Sequence, residues 1–193
     1  MTTAASLPLP EWKKRLPMAL TWSRMGVCPI LVAFLYLDQP MWSWMAAGLF
    51  IMASITDWLD GHLARKFNVI SNMGKFMDPI ADKILVATVL IMLIPSKKVG
   101  PIVVLLLLAR DILIGGIRSV AAADRVIIDA KAAGKWKTGM QMVAIPALLI
   151  DLEFMGVEFR EIGFWLLWIS VLLSLFSGYQ YVKVYFENKK AGS

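Results

Sequence analysis

Apolar residues fill long runs of this chain, and polar ones gather where those runs end. The runs cover residues 18–37, then 41 onward, 72–94, 102–122, 135 onward and 162–185. A helix needs roughly 20 apolar residues to cross the hydrocarbon of a bilayer, so the pattern predicts six transmembrane helices. Short connections are expected at 38–40, 95–101 and 151–161 on one side and at 67–72 and 123–134 on the other. Ser71 or Asn72 offers an N-cap for the third helix. Residues 8–17 combine one Trp with three cations and predict a short interfacial helix ahead of the first span. Residues 187–193 read as a polar tail.

Composition agrees. The chain is 59% hydrophobic, with a mean hydropathy of +0.67, too apolar for a soluble domain. Once the spans are assigned, too few residues remain for a second domain, so residues 1–193 are expected to form one all-α integral membrane domain. Cys28 is the single cysteine, which excludes a disulfide framework and a thiolate metal cluster. The net charge of +6 raises nucleic acid as a partner, but the distribution of cations points elsewhere. Of 20 lysines and arginines, only Lys97, Lys98 and Arg160 fall on one face of the predicted bundle. That asymmetry places both termini in the cytoplasm and favours contact with anionic lipid. Residues 1–17 place Pro8, Pro10, Glu11, Lys13 and Lys14 before any apolar run, which is not the pattern of a secretory signal. Trp42 and Trp44 suit the outer aromatic belt, and Tyr179, Tyr181 and Tyr185 the inner one.

Residues 57–82 break the apolar pattern with Asp57, Asp60, Asp78 and Asp82. A carboxylate held within a membrane span costs about 2.5–3.5 kcal/mol on insertion scales and needs a partner. Arg65 and Lys83 are the nearby cations of this stretch, too few for four carboxylates. Asp57, Asp60, Gly61, Ala64 and Arg65 are spaced 0, 3, 4, 7 and 8, and share one helical stripe. Gly74, Asp78 and Asp82, spaced 0, 4 and 8, share another. Two antiparallel helices would turn these stripes towards each other and gather an all-oxygen ligand set, suited to Mg²⁺ or Mn²⁺ shared with substrate phosphates. An isolated Asp pair at i, i+3 is usually a solvated face, but apolar flanks and the repeat on consecutive segments argue against that reading here. Gly61 and Ala64 leave room for a ligand near the backbone, and Arg65 offers a fork for phosphate.

A second polar group lies further on. Arg110 and Arg118 are eight residues apart and share a stripe, with Gly115 and Gly116 between them. Asp111 cannot balance both. Lys135 and Lys137 open the fifth helix at the end where its dipole disfavours cations, so an anionic partner is expected; Gln141 lies one turn beyond Lys137. Arg110, Arg118, Lys135 and Lys137 are therefore the candidate phosphate pocket. Thr21 and Arg24 share a face of the first span; Arg24 either snorkels to the interface or meets a ligand phosphate. His62 reads as a polar anchor and the twelve methionines as packing residues.

The pattern Asp-x2-Asp-Gly-x2-Ala-Arg-x8-Gly-x3-Asp-x3-Asp, met in full by Asp57, Asp60, Gly61, Ala64, Arg65, Gly74, Asp78 and Asp82, resembles the signature of the CDP-alcohol phosphotransferases. The run Leu20-Thr21-x2-Arg24-x4-Pro29 and the pieces Ala109-Arg110-Asp111, Arg118 and Gly134-Lys135-x-Lys137-Thr138 are similar to the phosphatidylglycerophosphate synthases within that family, with Asp111 where Glu is often found. The resemblance implies a CDP-diacylglycerol donor, glycerol 3-phosphate as acceptor and CMP as leaving group. It implies two divalent cations, the first on Asp57, Asp60 and Asp78, the second on Asp57, Asp78 and Asp82. Asp82 would also be the general base, and Asp60, Gly61, Ala64, Arg65 and Gly74 would receive the CDP moiety. A homodimer in the bacterial cytoplasmic membrane, its active site facing the cytoplasm, is a further implication. Inositol phosphate, phosphatidylglycerol and serine remain alternative acceptors, although a basic pocket disfavours serine. A different class, a divalent-cation transporter, would also explain intramembrane carboxylates, but no acidic residues continue from them across the membrane.

Overall fold

The computed structural model describes residues 11–37, 39–67, 72–124, 132–150, 153–154 and 157–191; side chains are excluded at 11–21, 57–67, 72–79, 122–123, 132–135, 153–157 and 189–191. Six helices make up nearly all of it: α1 (Glu11–Tyr36), α2 (Pro40–Phe67), α3 (Asn72–Met92), α4 (Pro101–Ala123), α5 (Ala132–Leu149) and α6 (Phe159–Ala191). Two two-residue strands, β1 (Glu153–Phe154) and β2 (Val157–Glu158), pair antiparallel ahead of α6.

Three expectations about boundaries change. Residues 11–17 are not a separate interfacial helix but run continuously into α1, because Glu, Trp, Lys, Arg and Leu before Pro17 and Met, Ala and Leu after it are all compatible with helix. The connection at 151–161 contains the hairpin, and α6 already opens at Phe159. The polar tail is helical to Ala191: no glycine or proline interrupts residues 179–191, and Lys183 pairs with Glu187 one turn on, at 3.8 Å. The expected turn at 67–72 lies largely outside the described residues, as does Ser71.

Segment Phe159–Asn188 of α6 is long and apolar enough to cross a membrane, and shorter apolar helices span Trp22–Tyr36 and Pro40–Thr56. Large apolar side chains face outward on every helix, among them Trp22, Met52, Ile84, Leu105, Ile112, Val143, Trp165 and Phe176. A surface in water does not carry apolar area on this scale, whereas hydrocarbon accepts it. The chain is a membrane protein. Serine and threonine hydroxyls on these helices turn inward to their own backbone: Ser54 donates to the Phe50 carbonyl at 2.8 Å, Thr56 to Met52 at 2.7 Å and Ser170 to Leu167 at 2.7 Å. That satisfies them where water is scarce.

The core joins all six helices through Leu31, Phe50, Leu85, Val89, Leu107, Ile145, Leu148 and Leu167, each buried. Packing divides the bundle in two. α1 lies against both α2 and α3, while α6 lies against α5 and α4. The halves meet where α2 packs on α5 and, over a shorter stretch, where α3 meets α4. Between α2 and α3 there is no extensive packing among the described residues, since α1 contacts both. α5 and α6 approach closely because residue 163 is glycine: a Cβ there would stand 2.8 Å from the Leu148 Cγ and 2.9 Å from the Ala144 carbonyl oxygen.

The α3–α4 turn is built on Lys97, whose φ of 56° is left-handed. Its amide donates to the Ile94 carbonyl at 3.0 Å and that of Lys98 to Leu93 at 3.2 Å, the pairing of a Schellman cap. The Lys98 ammonium then donates to the Leu149 carbonyl at 3.3 Å, a cation on the C-terminal end of α5.

Candidate active site

Both carboxylate stripes fall on helices, one on each side of the 68–71 connection. Asp57, Asp60, Gly61, Ala64 and Arg65 lie on the last turns of α2, and Gly74, Asp78 and Asp82 on the first turns of α3. Of these side chains only Asp82 is described, half-buried; the rest, with Thr21 and Lys135, lie outside the described side chains.

Lys83 follows Asp82 but sits about 100° further round α3, so it faces a different neighbour. Its ammonium donates to the backbone carbonyl of Asp111 on α4 at 3.0 Å. The ammonium tip uses space left by Gly115, where a Cβ would stand 2.8 Å from the Lys83 Nζ. Gly116 has nothing within 4 Å of an added Cβ, so of the two adjacent glycines only Gly115 makes room for a neighbour.

The same Asp111 draws in two more cations through its side chain. Lys137 of α5 forms an ion pair with Asp111 Oδ1, and Arg110 Nη1 donates to that oxygen at 3.0 Å. Arg110 reaches across to α6 as well, where Nε donates to the Ser174 carbonyl at 2.9 Å and Nη2 to the Ser177 hydroxyl at 2.7 Å. Gly178 makes space for that guanidinium, since a Cβ at 178 would come within 3.2 Å of the Arg110 Nε. Ser177 in turn donates to the Ser174 carbonyl at 3.1 Å. Lys137 is buried, 5% exposed. Arg110 and Lys137 therefore share the Asp111 carboxylate while Lys83 holds its backbone carbonyl, three cations around one residue and an excess of positive charge that attracts an anion. One turn deeper on α5, Gln141 is buried with its Nε2 unbonded among the described residues, and the same holds for the Ser174 Oγ of α6.

Other candidates are placed apart. Arg118 is exposed, its guanidinium 5.6 Å from the centre of the Tyr181 ring. Arg24 is buried on α1, 4% exposed, and its carbonyl faces the Cys28 thiol at 3.5 Å. Cys28 is buried, as expected of a small apolar residue. Of the four cations of the candidate pocket, the structure brings Arg110 and Lys137 together and sets Arg118 over Tyr181.

Sequence reasoning assigned Lys83 to the carboxylates and did not join it to Asp111. The available signal was its position one residue off the Asp78/Asp82 stripe. The Ser174 and Ser177 pair was also missed, although two serines three apart in an otherwise apolar helix mark a face with a polar neighbour.

The donor chemistry of the α2 and α3 stripes suits divalent cations. Four carboxylates would supply hard oxygen ligands, and Lys83 has its ammonium directed to the α4 backbone.

Comparison with known proteins agrees with this arrangement. The family model described as CDP-alcohol phosphatidyltransferase matches residues 14–176. A protein of Rickettsia bellii named CDP-diacylglycerol–glycerol-3-phosphate 3-phosphatidyltransferase is 37% identical over 171 residues, covering 88% of this chain and 94% of its own length. Proteins of the same name from Rickettsia typhi and Bacillus subtilis are 39% and 32% identical, covering 88% and 92% of this chain and 96% and 98% of their own lengths. With its signature intact on α2 and α3 and the match running through the four other helices of the bundle, the chain belongs to the CDP-alcohol phosphatidyltransferase family of transferases.

Proposed function

We propose that this enzyme transfers the phosphatidyl group of CDP-diacylglycerol to glycerol 3-phosphate, giving phosphatidylglycerophosphate and CMP. The observation that carries the choice of acceptor is the gathering of three cations around Asp111, Arg110 and Lys137 on its carboxylate and Lys83, the residue after Asp82, on its backbone carbonyl. Such a surplus of positive charge beside the carboxylate stripe suits an acceptor that is itself an anion. The names of the three relatives support the same acceptor. Membership of a transferase family removes the reason to read the carboxylates as an ion pathway.

In this reading Asp57, Asp60 and Asp78 hold one divalent cation, Mg²⁺ or Mn²⁺, and Asp57, Asp78 and Asp82 a second. Bound there, the two ions would neutralise the diphosphate and stabilise CMP as it departs. Asp60, Gly61, Ala64, Arg65 and Gly74 receive the CDP group. Arg110, Arg118, Lys135 and Lys137 draw in the acceptor phosphate, with Thr21 and Arg24 as further contacts. Gln141 and Ser174 hold polar atoms in reserve for the acceptor's hydroxyls. Asp82 takes the proton of the attacking hydroxyl as its oxygen bonds to the phosphatidyl phosphorus. The bond from that phosphorus to the bridging oxygen breaks, and CMP carries the electron pair away.

The apolar runs and the cation asymmetry support six spans in one domain, both termini and the site on the cytoplasmic face of the bacterial inner membrane. The family resemblance supports a homodimer.

The test is direct. Purified protein is given CDP-diacylglycerol with glycerol 3-phosphate, inositol phosphate, phosphatidylglycerol or serine in separate reactions, and the lipid product is identified. Phosphatidylglycerophosphate as the main product is expected; a product formed only with serine would overturn the assignment of the basic cluster.

A further inference from the structure

We propose that Lys83 is a positioning residue: it holds the carboxylate-bearing half of the bundle in register with the cation-bearing half. The inference rests on the phosphatidyl-transfer reading, and four observations carry it. α3 packs with α1 and meets α4 only over a short stretch, so apolar packing alone leaves the relative placement of these two helices loosely determined. Across that stretch Lys83 Nζ donates to the Asp111 carbonyl at 3.0 Å. Gly115, one turn further along α4, leaves the space the ammonium tip uses, since a Cβ there would lie 2.8 Å from Nζ. Asp111, finally, gives its backbone to Lys83 and its side chain to Arg110 and Lys137, so one residue ties α3 to the cations of α4 and α5.

The consequence is geometric. Asp82 and Lys83 are neighbours on α3, about 100° apart round the helix, so anchoring one sets the direction of the other. In-line transfer needs the acceptor hydroxyl, the phosphorus and the base aligned, and a displacement of about 1 Å can cost about 100-fold in rate. In this reading the CDP group binds on α2 and α3 while Arg110, Arg118, Lys135 and Lys137 draw in the acceptor from α4 and α5, and the Lys83 contact acts on how α3 and α4 meet. Its loss is therefore expected in turnover and not in the affinity for either substrate.

Lys83→Met removes the ammonium and keeps the stem, while Gly115→Ala keeps the ammonium and fills its seat. Full-length protein carrying each change, and both, is assayed for CMP release over ranges of both substrates. Lys83→Met is expected to lower kcat about 10- to 100-fold with both KM values within about two-fold of the parent, and Gly115→Ala, which the flexible ammonium evades by a small shift, to lower kcat less. The double variant is expected to be no slower than the slower single one, because the two changes remove one shared interaction. A Lys83→Met enzyme with parental kcat overturns the proposal. So does a loss confined to KM for glycerol 3-phosphate, which would make Lys83 a ligand contact, and so do effects of the two changes that multiply. If Lys83→Met does not fold, Lys83→Gln decides in its place, with parental kcat overturning the proposal. A parent enzyme that makes a different lipid refutes the acceptor assignment separately, and the same kcat comparison then runs on the acceptor it uses.

Discussion

Lys137 and Asp111 form an ion pair between α5 and α4, with 6% of the lysine side chain and 19% of the aspartate side chain exposed. Arg110 uses the same carboxylate oxygen, so a single Oδ1 holds two cations within a bundle whose exterior is apolar. Such a pair organises the site without adding much to stability, because both partners have given up solvation to form it. Removing one partner is another matter, since the other is then left buried and charged.

Asp111→Leu is accordingly expected to destabilise the protein by about 3 kcal/mol, the lower end for breaking a buried pair. Adding Lys137→Leu is expected to restore much of that loss. Thermal unfolding of the single and double variants in detergent checks it; a double variant less stable than Asp111→Leu would show that Lys137 is held by something other than Asp111.

Chelation of divalent cations is expected to stop CMP release, and Mg²⁺ or Mn²⁺ to restore it, because the four carboxylates of the α2 and α3 stripes would otherwise lack sufficient counter-charge. Asp57→Asn is expected to leave no CMP release at any cation concentration. Turnover that persists after chelation would remove the cations from the reaction.

Asp82→Asn is expected to lower kcat by about 10²- to 10⁴-fold, the range for loss of a general base. The deficit should persist at saturating divalent cation. Recovery of full turnover under those conditions would leave Asp82 as a ligand and no base.

Arg118 faces Tyr181 and is exposed, available to an anion approaching from the aqueous side. Arg118→Gln is expected to raise KM for glycerol 3-phosphate about 10- to 100-fold, the equivalent of a charge-assisted hydrogen bond of about 1.5–3 kcal/mol. KM for CDP-diacylglycerol should hold. An unchanged acceptor KM would take Arg118 out of the pocket.

Gly163→Ala should cost about 1–3 kcal/mol, because the new methyl meets the Leu148 Cγ at 2.8 Å and the Leu148 amide nitrogen at 3.0 Å. Gly26→Ala, where a Cβ has nothing within 4 Å, is expected to be neutral or to stabilise α1 by up to about 1 kcal/mol. Unfolding midpoints compare the two; equal effects would mean that α5 and α6 separate more readily than their packing implies.

What the residues determine alone is local. Apolar runs longer than a core helix needs, and carboxylates spaced at helical intervals, set the six helices and the membership of each stripe, because helix periodicity acts over neighbouring turns. Asp57 to Asp82 was legible for that reason, as were Arg110 and Lys137 as cations in want of an anion. The continuation of α1 back to Glu11 and of α6 out to Ala191 was not, since a change from apolar to polar side chains marks a change of surroundings and not the end of a helix.

Partners remote in the chain were decided only by the fold. Lys83 and Asp111 are 28 residues apart, and Arg110 and Ser174 are 64 apart; which cation reaches which oxygen depends on how helices rotate and pack against one another. Glycines at 115, 163 and 178 set those approaches by what they leave out, and an absent side chain carries no direction that a one-dimensional pattern can register.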